Sequence, residues 1–301
     1  MTGRIFLANV GANASHPFAS PIFDDGTFEV LPIPEACPST EGLGASLVRY
    51  RMLRSFNRPE EDLRTYLPSR WWDWPCHADP EFYTHTYGDD CDTAPRAAAL
   101  KAMGTGDLIF FIVRLVGHQG HSKNRVYPQI YDQGHSKAGM PPARGNDQGG
   151  MSTGQPGFYL IGYLEVAQVL ASVRQPPTPQ EMAVFGNNAH IRRALADPQR
   201  WDRFWVFKGS ANSRRFRRAV PVTQSLAQAV FRNALGEPWR WDGHRSILQT
   251  IGSYTRSCRC IIDPAQPGGA QRAALLWEAV AQADGLAALP AGLKQKYPAG
   301  I

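Results

Sequence analysis

The chain has 301 residues, enough to bury a sizeable core in one large domain or two small ones, and its 43% hydrophobic and 19% charged content is ordinary for a globular protein. The 28 glycines and 24 prolines imply many turns around short elements, which disfavours a helical bundle. The net charge of +6 is uneven: from His190 to Cys260 fourteen basic residues, thirteen of them Arg, face four acids, while the rest is slightly acidic. Such a concentration is the electrostatic footprint of a surface for nucleic acid.

Arg4 to Val10 reads as a buried strand that ends at Gly11 and a small polar loop, Ala12 to His16. Its apolar stretch is too short for a signal-peptide core or a membrane span. The five cysteines form no regular framework, so the expectation is a reduced, cytoplasmic protein without membrane partners. Phe28 to Ile33 is predicted as a second strand, with Pro32 limiting its pairing. Pro59 to Leu67 is predicted as a short helix, with Glu60, Glu61 and Asp62 near its start. The segment from Trp71 to Asp92, dense in aromatics, acids and histidines, has no regular apolar stripe and reads as a structured loop.

Arg96 to Met103 is predicted to be helical, and Leu108 to Leu115 is the strongest strand. About 40 Gly-, Gln-, Ser- and His-rich residues follow, from Val116 to Gly157. Phe158 to Val166 is the next strand, with Gly162 marking a bulge or a close backbone approach. Gln180 to Ala196 reads as a helix broken near Gly186-Asn187-Asn188. Phe204 to Lys208 and Ala219 to Val222 read as strands around a polar connection, Gly209 to Arg218. Leu226 to Leu235 and Ala270 to Ala283 read as amphipathic helices.

Three features resemble the PUA-like group that includes EVE and ASCH domains. They are the Gly106-Asp107 turn before Leu108-Ile109-Phe110-Phe111, the Gly157–Val166 strand with its internal Gly162, and Trp205 to Lys208 leading to Val220-Pro221-Val222. A wider set resembles the nucleotide modification associated domain 3 family: Asn9 to His16 with Ser20-Pro21, Asp25 to Glu29, Pro32 to Glu35, His77 to Phe82, Thr86 to Asp89, Phe207 to Ser210 and Arg256 to Cys260. Together these imply a mixed α+β protein with a PUA-like β-barrel at about 104–223. A 1–103 N-terminal segment and a 224–301 helical segment would surround it in one compact domain. They also imply a setting in DNA base modification, with DNA preferred over RNA and DNA-modifying enzymes as further partners.

His77-x-Asp79-x-Glu81 supplies groups that exchange protons near neutral pH, and His16 is a second candidate base; these four are the expected catalytic residues. Asn13 is placed to read a base edge. Trp71, Trp72, Trp74, Phe82 and Tyr83 are expected to stack on an extruded base, with Tyr87 nearby as a further nucleic-acid-binding residue. Lys208, Ser210, Arg214 and Arg215 form a candidate phosphate cradle without the Walker spacing. His118-x-x-His121 with His135, and Cys258-x-Cys260 with Cys76-His77, match no recognised zinc spacing, so no metal site is expected. Cys76 after Pro75 or Cys258 is a lesser candidate nucleophile. No motif identifies a cofactor. The alternatives to a base-altering enzyme are a non-catalytic reader of modified bases and an assembly partner of modification enzymes.

Overall fold

The computed structural model describes residues 3–35, 47–118 and 156–284; Cys37, His121, His135 and most of the Gly-rich segment lie outside them. In chain order the strands and helices are β1 (Ile5–Asn9), β2 (Ser20–Ile22), β3 (Ile33–Pro34), β4 (Cys76–His77), β5 (Thr86–Asp89), β6 (Leu108–Gly117), β7 (Gly157–Val173), α1 (Pro179–Phe185), α2 (Ala189–Ala196), β8 (Phe204–Gly209), β9 (Arg214–Pro221), α3 (Gln224–Val230), α4 (Ile247–Tyr254), β10 (Arg259–Ile262) and α5 (Gly269–Asp284).

β6 organises the molecule. Leu108, Phe110 and Ile112 face one apolar cluster, and Ile109, Phe111 and Val113 face another. A strand covered on both faces needs a continuous apolar run, which is what LIFFIV supplies. β1 lies parallel to β6 and continues the alternation, Ile5 and Leu7 on the first side, Phe6 and Ala8 on the second. The first cluster is closed by α3, α4 and α5, with Trp277 of α5 edge-on to Phe110 at 5.2 Å and to Tyr163 at 5.0 Å. Residues preceding β6, among them Phe28, Ala97, Leu100 and Met103, close the second.

β7 runs antiparallel to β6 and is longer than the sequence suggests. Along its other edge, β9 pairs with Tyr159 to Tyr163 and β8 with Val166 to Val173, so β8 and β9 act as one interrupted antiparallel strand. Gly162 sits at the register shift; a Cβ there would lie 2.6 Å from the Arg214 carbonyl oxygen and 2.8 Å from the Phe82 ring. The expected close approach at Gly162 is therefore present.

The fold is mixed α/β. Its main sheet runs β10-β1-β6-β7-β8-β5, with β2 on β6 and β9 on β7, and no closed barrel forms among the described residues. Several expected boundaries change. Phe28 to Ile33 is not a strand: only Ile33-Pro34 pairs, with β4, and Phe28 makes an isolated bridge to Ile22. The predicted helices at 59–67 and 96–103 contract to 3-10 turns, Leu63–Tyr66 and Ala98–Ala102. The predicted helix at 226–235 ends at Val230, and a bridge between Arg232 and Pro238 follows. The Gly209–Arg218 connection is mostly strand, because Phe216 turns into the core and Arg215 is buried. The Trp71–Asp92 stretch contains β4 and β5. The helix break at 186–188 lies between α1 and α2 as expected, with Thr178 and Glu181 forming a capping box before α1 and Asn188 capping α2. No helix among the described residues is long and apolar enough to cross a membrane.

Candidate functional site

Two elements far apart in sequence bring histidines together. β4 carries His77, and α2 carries His190 just after its Asn188 cap. Their rings meet edge to face with centroids 4.6 Å apart. Gly88 on β5 makes this approach feasible: a Cβ there would lie 2.6 Å from His190 Cδ2 and 2.7 Å from Asn188 Oδ1.

Asp79 completes the group. Its Oδ2 lies 3.9 Å from His77 Nε2 and 3.9 Å from His190 Nε2, and it accepts hydrogen bonds from the Gly88 amide at 2.8 Å and Asn188 Nδ2 at 3.3 Å. Its Oδ1 is buried with no hydrogen-bond partner. An unsatisfied buried carboxylate oxygen is costly, and native structures hold few such groups away from functional positions.

The far side of each imidazole meets a carboxylate. His77 Nδ1 donates to Glu35 Oε2 at 2.8 Å, while Asp90 Oδ1 and Arg193 Nη2 lie 3.3 and 3.1 Å from His190 Nδ1. Arg193 also approaches Glu35 at 3.9 Å. Burial pushes the Asp79 carboxyl up to about 7 and the His190 imidazole down to about 4. For His77 burial works downward, but the Glu35 hydrogen bond and charge outweigh it and hold the ring above the ordinary histidine range. Burial opposes ionisation of Asp90 as well, yet His190 and Arg193 keep it far below the usual carboxylate range.

Asp79 also forms part of the wall of a cavity of about 420 Å³. Around it stand Phe56, Phe82 and Tyr83, the apolar Val30, Met52 and Leu53, and the cations Arg54, Arg192 and Arg215. Met52, Phe56 and Tyr83 are among the large hydrophobic side chains most exposed in the described structure. Phe56 and Tyr83 lie 6.1 Å apart, forming a tilted aromatic pair. Arg215 is buried, bonded to Glu29 Oε2 at 3.0 Å, and lies over Phe56 at 4.4 Å and Phe28 at 4.8 Å.

The other expected site residues are distributed as follows. Glu81 lines the cavity, but its carboxylate accepts from the Tyr83 and Thr84 amides and closes the turn before β5. Asn13, Ser15 and His16 bond one another in a separate turn, with His16 Nδ1 3.0 Å from Asn13 Oδ1. Trp71, Trp72 and Trp74 pack on a third apolar cluster around Phe18, Tyr50 and Leu63. The Tyr87 hydroxyl is buried and donates to Asp89 at 2.8 Å. Lys208 donates to the Thr84 carbonyl, Ser210 to Glu165 at 2.6 Å, and Arg214 pairs with Asp284. Of the candidate zinc-type groups, Cys258 is buried beside Tyr87 and Asp89 and His118 packs against Phe23 and Tyr66. Sequence reasoning missed Glu35, Asp90, His190 and Arg193 as members of the site.

A family model described as nucleotide modification associated domain 3 matches residues 4–240. The chain belongs to this family. The match spans every residue of the histidine–carboxylate cluster and the whole cavity wall, so the nucleotide modification associated domain holds the complete candidate site. Its description ties the protein to nucleotide modification. No curated protein and no solved structure matches the chain.

Proposed function

We propose that the protein modifies a nucleic-acid base, which it holds in the cavity beside Asp79. The carrying observation is that Asp79, whose Oδ1 is buried and unpartnered, lines the same cavity as an exposed aromatic pair. At about 420 Å³ the cavity falls within the ~300–1,000 Å³ range of small-ligand sites and has their character, apolar walls with a few fixed polar groups.

The apolar and aromatic walls favour a flat heterocycle, and the Phe56–Tyr83 pair offers it a stacking surface. Asp79 Oδ1 accepts an exocyclic or ring N–H of that base, satisfying its own unmet bond. Arg54 and Arg192 supply positive charge for the attached phosphates. A base in a duplex reaches such a cavity only by leaving the stack, which favours single-stranded, mismatched or extruded DNA. The Gly106-Asp107 turn and the Gly162 approach support a PUA-like ancestry for residues 104–223, a fold group in which bases are cradled.

The test is equilibrium binding of short single- and double-stranded DNA with unmodified or modified pyrimidines at two salt concentrations, followed by mass spectrometry of the recovered DNA. Base-dependent binding and a mass change are expected. Phe56→Ala and Tyr83→Ala should each weaken binding by about 1–3 kcal/mol if they stack on a base. Binding without a mass change would identify a reader. Binding insensitive to both substitutions would exclude this cavity as the base site.

A further inference from the structure

We infer that His77, Asp79 and His190 bind one divalent first-row transition-metal ion. The inference concerns the same site but stands on the cluster itself, whatever occupies the cavity.

The ligand atoms of the three residues all lie within 4.8 Å of one another, and both Nε2 atoms are 3.9 Å from Asp79 Oδ2. A cation at the ~2.1 Å typical of metal–imidazole bonds in tetrahedral geometry sets its ligand atoms about 3.4 Å apart, so the side chains must close these separations by about 0.5–1.4 Å. Asp79 Oδ2 is the atom that faces both imidazoles, although it also accepts from the Gly88 amide and Asn188 Nδ2.

The surroundings match what metal-bound histidines need. A ligating imidazole usually donates its second nitrogen to a carboxylate, which fixes the tautomer and aims the free lone pair. Glu35 stands at Nδ1 of His77, Asp90 shares the neighbourhood of His190 Nδ1 with Arg193 Nη2, and both Nε2 atoms face Asp79. Charge agrees with geometry: Glu35, Asp79 and Asp90 surround the pair, and Arg193 offsets only one of them. The remaining two negative charges complement a divalent cation.

Two imidazoles with one carboxylate suit Fe, Mn, Co, Ni or Zn better than Mg or Ca, which prefer all-oxygen shells. Three protein ligands also leave coordination positions open for water or substrate. Because Asp79 belongs to both cluster and cavity wall, an ion here adjoins the proposed base site.

The experiment uses the untagged full chain, stripped with chelator and titrated with Co(II), read by visible d–d absorption and by calorimetry. One Co(II) per chain is expected. His190→Gln and Asp79→Asn should weaken it at least tenfold, and Glu35→Gln should weaken it about 10–100-fold while keeping one site per chain. His244→Gln, on the exposed surface, should change nothing. Circular dichroism checks that each variant folds. In the unsubstituted protein, histidine nitrogen NMR with Zn(II) should show two imidazoles bound through Nε2, which decides the matter even if a variant fails to fold. Absence of Co(II) binding by the folded protein, or equal binding by His190→Gln, overturns the inference. Neither readout involves nucleic acid, so failure here is distinguishable from failure of the base-binding proposal.

Discussion

Gly88→Ala probes how the site is assembled. The added Cβ would sit 2.6 Å from His190 Cδ2, where carbon atoms prefer about 3.5–4.0 Å, so the ring must withdraw by roughly 1 Å. The same Cβ lies 2.7 Å from Asn188 Oδ1, the atom that accepts the His190 amide at 3.0 Å and caps α2. Both neighbours are buried, Asn188 at 0% and His190 at 3% exposure, so neither swings aside into solvent. Overpacking of this kind costs about 1–3 kcal/mol, and a compromised cap adds up to about 1 kcal/mol. We expect a loss of about 2–4 kcal/mol in urea unfolding with an unchanged m-value, together with at least tenfold weaker Co(II) binding. A loss under about 0.5 kcal/mol, the scale of an inconsequential surface substitution, with unaltered Co(II) affinity would refute the close packing of β5 against α2.

Three further outcomes are expected. Arg215→Met strands Glu29, which otherwise accepts from Ser55 Oγ and the Phe56 and Asn57 amides as well, and should cost about 3–5 kcal/mol in urea unfolding; a value below about 1 kcal/mol would mean that the pair is hydrated. Trp277→Ala removes the ring that meets both Phe110 and Tyr163 and should cost about 3–5 kcal/mol by the same measurement, with a smaller loss indicating a core that collapses around the gap. Burial pushes the Cys258 thiol up to about 12, so peptide mapping after iodoacetamide treatment at mildly alkaline pH should find Cys258 unlabelled in native protein and labelled in urea; equal labelling in both would contradict its burial.

Much of the central sheet was legible because burial on both faces writes itself as an apolar run. Leu108 to Leu115 is such a run, and so is the first half of β7. The second half of β7 is half-exposed, with Gln168 and Ser172 interrupting the pattern, and its length emerges only from pairing with β8. β9 was obscured by four arginines around Phe216: local composition reads as polar loop, whereas Asp284 and Glu29 in other segments supply the partners that make Arg214 and Arg215 structural. Within the site, His77 and Asp79 stood out because two ionisable residues two positions apart lie in an aromatic stretch. His190 did not, since one histidine near the start of a helix carries no signal until the chain folds. Glu35 entered only through family resemblance, its acidity having no visible local purpose. The Arg-rich window shows the limit of charge counting, because several of its members face inward or are already paired.

The histidine–carboxylate cluster lies where two separately packed units meet. His77 is flanked by Cys76 and Ala78 of the apolar cluster around Tyr50, whereas His190 is followed by Ile191 of the cluster around Phe185 and Phe204. Such a seam responds to tension differently from the interior of either unit. Amides of α2 that open by parting along it would exchange hydrogen at a free energy below that of global unfolding. A ligand spanning the seam would act as a rivet: it would slow exchange on both sides at once, by RT ln(1 + [L]/Kd), without tightening the packing within either unit.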